Sequence, residues 1–273
     1  MAIQPKNNSG SDTKREFKEF PQPEEGPNDA RISMLVDLGT QPREKYDEDL
    51  KEWVETTPAP QYAIYADLVD HIVDYEGDIG EKQFRIALNK SFQGIISGTT
   101  FSGCYSRDAT GNPLKEKGVT FHNNSLFTKL AKATRQKDVI TPKSQNNMNI
   151  ELLLDQSFNL NVEHNEWTNK DGKDVCNAKY GGASPLKAGY EVTELQTPAV
   201  AVTFDDATVE QVMMLRNDAR KTIQRATDFE GSHIQSVFNT LGVNEKGWIT
   251  NYPNEDGTID EIVEDDFDDK APF

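Results

Sequence analysis

The order in which β-rich runs and a helical run succeed one another constrains this chain more than any other feature. Residues 31–39 hold Ile32, Met34, Leu35, Val36 and Leu38 and stop at a glycine ahead of Pro42. A second β-rich run, 61–75, contains Tyr62, Ile64, Tyr65, Leu68, Val69, Ile72 and Val73. After Gly77-Asp78-Ile79-Gly80, residues 83–92 place Phe84, Ile86 and Leu88 on one face and Arg85, Ala87 and Asn89 on the other, which is strand periodicity. These two runs predict a hairpin. The acidic, proline-bounded stretch 44–60 and the Gly- and Ser-rich stretch 94–118 predict loops. Ser125 predicts the cap of a short helix with Leu126, Phe127, Leu130 and Thr134 on one side and Lys129, Lys132 and Arg135 on the other. Residues 150–162 and 174–180 read as two more strands about the turn Asn169-Lys170-Asp171-Gly172. Residues 191–204 read as extended and 207–228 and 233–241 as helical. The last has Ile234, Val237, Phe238 and Leu241 in a helical stripe.

Three strands, a helix and two strands is the element order of the OB-fold, a small Greek-key barrel that commonly binds oligonucleotides. The expected fold is therefore mainly β: an OB-fold barrel with a helix between strands 3 and 4, added C-terminal helices and disordered ends. Four segments follow: a flexible N-terminal arm (1–27), an OB-fold domain (28–205), a helical C-terminal extension (206–245) and an acidic disordered tail (246–273). The arm is polar, aperiodic and rich in breakers, including Pro21, Pro23, Gly26 and Pro27. The tail is a dense acid run kept extended by like-charge repulsion. It also holds Ile259, Ile262, Val263, Phe267 and a terminal Phe273, which a purely solubilising tail does not need.

Charge is patterned along the chain. The total of 46 acidic and 29 basic side chains gives a formal net charge of -17, which alone argues against nucleic acid. Residues 82–150 reverse that balance with eleven basic and three acidic groups. Single-strand binders combine cations that track phosphates with rings on which bases stack. The candidate cations are Lys82, Arg85, Lys90, Arg107, Lys129, Lys132 and Arg135, with Lys170, Lys173 and Lys179 around the last hairpin. Phe84 and Phe127 lie on apolar faces and belong to a core. Phe101, Tyr105 and Phe121 stand in polar context and, with Trp167 and Tyr180, are the candidates for stacking.

Catalytic signatures are missing: there is no GxGxxG after a strand, no phosphate loop and no HExxH. Glu163, His164 and Glu166 are the nearest acid/base grouping, but alternation of faces along a strand is expected to keep the three apart, so no enzyme activity is expected. Cys104 and Cys176, with no CxxC and four scattered histidines, give no zinc signature, and no metal or other cofactor is expected. The opening residues lack the apolar core of a secretory signal, and no apolar run reaches the length of a membrane span, so a cytoplasmic protein without membrane contact is expected.

The ending Asp265-Asp266-Phe267-Asp268-Asp269-Lys270-Ala271-Pro272-Phe273 resembles the acidic tip of bacterial single-stranded-DNA-binding proteins, an Asp-rich run closed by Pro-Phe. The body is similar to phage-encoded OB-fold single-stranded-DNA-binding proteins. The similarity lies in Ala30-Arg31-Ile32, Val36 to Pro42, Asn161 to His164, Lys170 to Lys173 and Ser184-Pro185-Leu186. The resemblance implies a protein that coats single strands in phage replication, recombination or repair, in the host bacterial cytoplasm. It also implies that Asp265, Asp266, Phe267, Asp268, Asp269, Pro272 and Phe273 recruit replication or recombination proteins. Lys270 interrupts the acid run, no long Gly/Gln-rich linker precedes the tip, and helices follow the barrel. A homo-oligomer therefore stays open, without the bacterial tetramer being implied. The competing expectation is an acidic protein-binding module or DNA mimic that occupies a basic partner surface.

Overall fold

The stretch 44–60 is not a loop but the far half of a long hairpin. In the computed structural model, which describes residues 21–74, 80–92, 95–100, 103–105, 119–121, 125–139, 150–168, 172–253 and 259–261, β1 (Gly26–Asp47) runs through it and returns as β2 (Glu52–Asp74). Tyr46 pairs with Trp53 and Asp47 with Glu52 beside the turn. The Asp47 carboxylate accepts from the amides of Asp49 and Leu50, and Lys51 takes the left-handed φ of 56° that closes the turn. Pro42 is tolerated because it falls in a register shift between Gln41↔Ala59 and Arg43↔Thr56, where no ladder donor is required. Gly39 occupies another shift at φ 73°, and a Cβ there would lie 2.4 Å from the Phe204 ring.

The chain continues as β3 (Glu81–Ala87), the short strands β4 (Lys90–Phe92), β5 (Ile95–Ser97), β6 (Thr99–Thr100), β7 (Gly103–Tyr105) and β8 (Val119–Phe121), and helix α1 (Leu126–Ala133). Ser125 caps α1, its Oγ accepting from the Thr128 amide, as the sequence predicts. A 3-10 turn at Ile150–Leu153 precedes β9 (Ser157–Thr168) and β10 (Asp174–Ser184). Then come β11 (Val200–Val202), α2 (Val209–Met213), α3 (Asn217–Ile223), α4 (His233–Thr240), β12 (Asn251–Pro253) and β13 (Ile259–Glu261). The helical stretch expected at 207–228 is thus two short helices, and only β11 of the extended stretch 191–204 joins the sheet.

The main sheet has the order β10-β9-β1-β2-β3, antiparallel along that path, with β11 parallel to β1 and β6 beside β2. The expectation of a closed barrel is corrected here: among the described residues this is an open antiparallel sheet. Terminal strands β3 and β10 approach each other without a ladder. The amide of Gln83 on β3 donates instead to the side chain of Gln196, which removes one donor that a closing strand would need.

A register shift between Ile32 and Met34 decides which layer each part of β1 faces. Before it, Ala30 and Ile32 face an inner core; after it, Leu35 faces that core while Met34, Val36 and Leu38 face the other side. The inner core joins the sheet to α1 through Phe127, Leu130 and Ala131, with Phe158 and Leu160 from β9. The outer core joins the sheet to the C-terminal helices through Val212, Ala219, Ile223, Ile234, Phe238 and Leu241. Ser33, the residue at the shift, is buried and donates to Asp67, which also receives both Nε (2.7 Å) and Nη2 (3.0 Å) of Arg85.

Both ends expected to be disordered contain ordered residues. Residues 21–25 are held against the β9–β10 hairpin: Gln22 accepts from the Ala178 amide, the Pro23 carbonyl bonds His164, and Glu25 accepts from the His164 amide. Gly26 already pairs with Val162. At the other end Ile249 is buried and β12 pairs with β13. Residues 1–20 and 262–273 lie outside the described residues.

Candidate nucleic-acid interface

The faces of the sheet are occupied, which leaves its ends and α1 as open surface. On the side away from α1, residues 190–196 cross β1, β2 and β3. Tyr190 donates to Asp29, Arg31 donates to the carbonyls of Val192 and Thr193, Thr193 donates to Asp70, and Gln83 donates to the Glu194 carbonyl. Higher on the same side the C-terminal helices cover Met34, Val36 and Tyr65. The outward surface of β2 and β3 is therefore taken by the chain itself.

Of the expected cations, Lys129 and Lys132 are exposed on α1, which packs beside β10, and Arg135 is exposed just after the helix. Arg135 is committed in part, its Nη2 donating to the Leu186 carbonyl at 2.8 Å. On β10, Lys179 projects away from the inner core and lies 3.5 Å from Glu163 across the ladder, both side chains half exposed. Trp167 shares that outward face and is 42 % exposed, while Lys173 stands by the turn. Lys82 is exposed at the start of β3, and Lys90 is exposed on β4. The structure thus sets α1 beside β10 and does not gather all of 82–150 into one stripe.

Two expected contacts have other employment. Arg85, with only 14 % of its side chain exposed, is paired with Asp67. Tyr180 packs against the inner core with its hydroxyl buried, and burial pushes that hydroxyl's pKa up. Tyr105 and Phe121 fall in β7 and β8, where Tyr105 pairs with Val119 and Phe121 with Gly103. Phe101, Arg107, Lys170 and the tip residues Asp265, Asp266, Phe267, Asp268, Asp269, Pro272 and Phe273 lie outside the described residues.

Sequence reasoning missed the rings at the end of the β1–β2 hairpin. Tyr46 and Trp53 meet edge to face at 5.7 Å and are 49 % and 67 % exposed, next to Leu50 at 62 %. The signal was present in a tyrosine and a tryptophan seven residues apart about a turn, but the surrounding acids made the stretch look like a loop. Because β9 runs antiparallel to the first residues of β1, this hairpin end and the Trp167 end point to opposite ends of the sheet.

A second convergence was also missed. His164 and Glu166, two apart on β9, share the inward face, and Cys176 stands opposite Glu166 on β10. One ligand atom from each lies within 4.8 Å of the others. Glu163 alone points the other way, so the expectation that this grouping stays apart holds for Glu163 and fails for the other two. Burial, and then the carboxylates of Glu166 and Glu25, push the Cys176 thiol above its ordinary range. Among the described residues no helix is long and apolar enough to cross a membrane. No family model matches the chain, and neither a curated protein nor a solved structure matches it.

Proposed function

We propose that this chain is a sequence-tolerant single-stranded-DNA-binding protein built on an opened OB-fold, acting in phage DNA replication, recombination or repair, with an acidic C-terminal tip that recruits partner proteins. The observation that carries the reading is the strand order. Numbering the five long strands in chain order, β10-β9-β1-β2-β3 is 5-4-1-2-3, with α1 between the third and the fourth. That is the order an OB barrel would have if opened between its third and fifth strands, and OB-folds bind oligonucleotides through strands 2 and 3 together with the loops between strands 1 and 2 and between strands 4 and 5. With the outward face of β2 and β3 covered, the two hairpin ends remain, and each carries an exposed tryptophan, Trp53 or Trp167. Lys179 shares the outward face of the second with Trp167, and the exposed Lys129 and Lys132 of α1 are further candidates for phosphate contacts.

Titration with labelled oligo(dT) at low and moderate salt tests the reading. Binding should fall steeply with salt as phosphate contacts release counterions. Replacing Lys129 and Lys132 by Gln should flatten the slope of log K against log salt by about 1, from roughly 0.7 per phosphate contact on a single strand. A chain with no affinity for oligo(dT) at low salt would instead fit an acidic module or DNA mimic. The specific observation favouring that second reading is the exposed acid row of Glu48, Asp49, Glu52 and Glu55 at the β1–β2 hairpin end.

A further inference from the structure

Strands β9 and β10 pair with an inward face that changes character along its length. Next to the sheet it is apolar, with Val162 opposite Tyr180 against the inner core. Further out it is His164 opposite Ala178 and Glu166 opposite Cys176. A nitrogen, a carboxylate oxygen and a sulfur, one from each side chain, lie within 4.8 Å of one another. Three different donor types meeting in this way do not satisfy one another as well as an ion pair would.

The imidazole has one ring nitrogen left for a ligand. Its Nε2 is 2.8 Å from the carbonyl oxygen of Pro23. A carbonyl only accepts, so Nε2 carries the proton and donates, and the lone pair is left on Nδ1. Metal-ligating histidines are characteristically fixed by such a bond from the other ring nitrogen. The Pro23 contact is itself held in place, because Gln22 and Glu25 on either side accept from the amides of Ala178 and His164.

We propose that His164 Nδ1, a Glu166 carboxylate oxygen and Cys176 Sγ form a binding site for a borderline-soft divalent cation, with Zn2+ the best match. Sulfur, imidazole and carboxylate together suit zinc, whereas calcium and magnesium take oxygen ligands. A tetrahedral zinc holds such donor atoms about 3.5 Å apart, a contraction of about 1 Å that rotation of the Glu166 and Cys176 side chains supplies. As the metal–sulfur bond forms, the thiol proton leaves to solvent. Water completes the fourth position. The bound ion would tie both strands of the hairpin, through His164, to the segment 22–25.

Co2+ titration of the full-length, reduced protein tests this, with Zn2+ as competitor. The expected result is a near-ultraviolet thiolate-to-cobalt band that saturates at one ion per chain and is erased by Zn2+. Cys176→Ser and Cys176→Ala should both remove the band, His164→Ala and Glu166→Ala should each weaken cobalt affinity by about tenfold or more, and Cys104→Ser should leave it intact. Circular dichroism of each variant separates loss of the site from loss of the fold. No band in the folded full-length chain, or a band that survives Cys176→Ser and disappears with Cys104→Ser, overturns the site.

Discussion

Helix α1 and the C-terminal helices cover opposite faces of one β1–β2 ribbon, and they do so by different means. The inner layer is closed with apolar side chains, Phe127 and Leu130 of α1 against Ile32, Ile64 and Phe158. The outer layer has a comparable apolar cluster but adds buried polar clamps. Arg220 is 6 % exposed and donates to the carbonyls of Gly247, Val212 and Leu215. Thr222 receives the Ile96 amide and donates to the Asp218 carbonyl, while Gln41 donates to the Thr222 carbonyl. The difference lies where the short helices end. Ser125 and Thr208 both cap their helices, but the five residues of α2 stop against the outer core, where Arg220 reaches the carbonyls of Val212 and Leu215. Each such group buried without a partner costs free energy, and the guanidinium supplies the missing donors.

The sharpest way to break this contrast is Arg220→Met, which keeps volume and removes every donor. Three buried carbonyls lose a charged donor, and unfolding in urea should show a loss of about 4 kcal/mol. Arg220→Lys should recover part of it. If Arg220→Met is neutral, the outer layer is held by apolar contact alone, like the inner one.

A somewhat smaller effect is expected at the seam near Gly39. Burial, with Asp228 and Asp205 nearby, raises the Asp37 carboxyl from 3.8 to about 6, against the lowering influence of the Gly39 amide that it accepts. The folded chain holds this proton more tightly than the unfolded one, so the contribution favours folding below pH 3.8 and is lost as pH rises through 6. At neutral pH the penalty is about 3 kcal/mol. Asp37→Asn can still accept from Gly39 and should raise the melting temperature at pH 7 but not at pH 4. Equal melting shifts at both values would exclude the carboxyl as the cause.

The smallest effects belong to the surfaces that neither layer covers. Trp167→Ala and Trp53→Ala should leave stability nearly unchanged, and each should weaken oligo(dT) binding by about 1–2 kcal/mol if it stacks on a base. The acids around Trp53 predict that its loss costs less than that of Trp167. The reverse order would move the strand's path to the β1–β2 end.

What could be read in the sequence was what local chemistry decides. Ser125 capping α1, the apolar side of that helix, the β9–β10 hairpin and α4 all follow from a few neighbouring residues. Pairing across long separations could not be read this way. Arg85 counts as a groove cation until β2 and β3 pair and bring Asp67 directly opposite it. Cys176 looks isolated until the β9–β10 register sets it against Glu166. Stretch 44–60 looks like a loop because its acids and prolines disfavour a lone strand, whereas the ladder to the other arm of the hairpin holds it extended.

The parallel pairing of Met34, Leu35 and Val36 with Val200, Ala201 and Val202 also sets the timing of folding. On that side β9 covers β1 only as far as Arg31, so the next stretch waits for a partner made more than 160 residues later. At roughly 5–20 residues per second, a nascent chain keeps this apolar edge unpaired for on the order of 10–30 s. An exposed strand edge is a template for association with other chains. Fragments that end before residue 200 should therefore aggregate during synthesis, and chaperone demand should fall once β11 has left the ribosome.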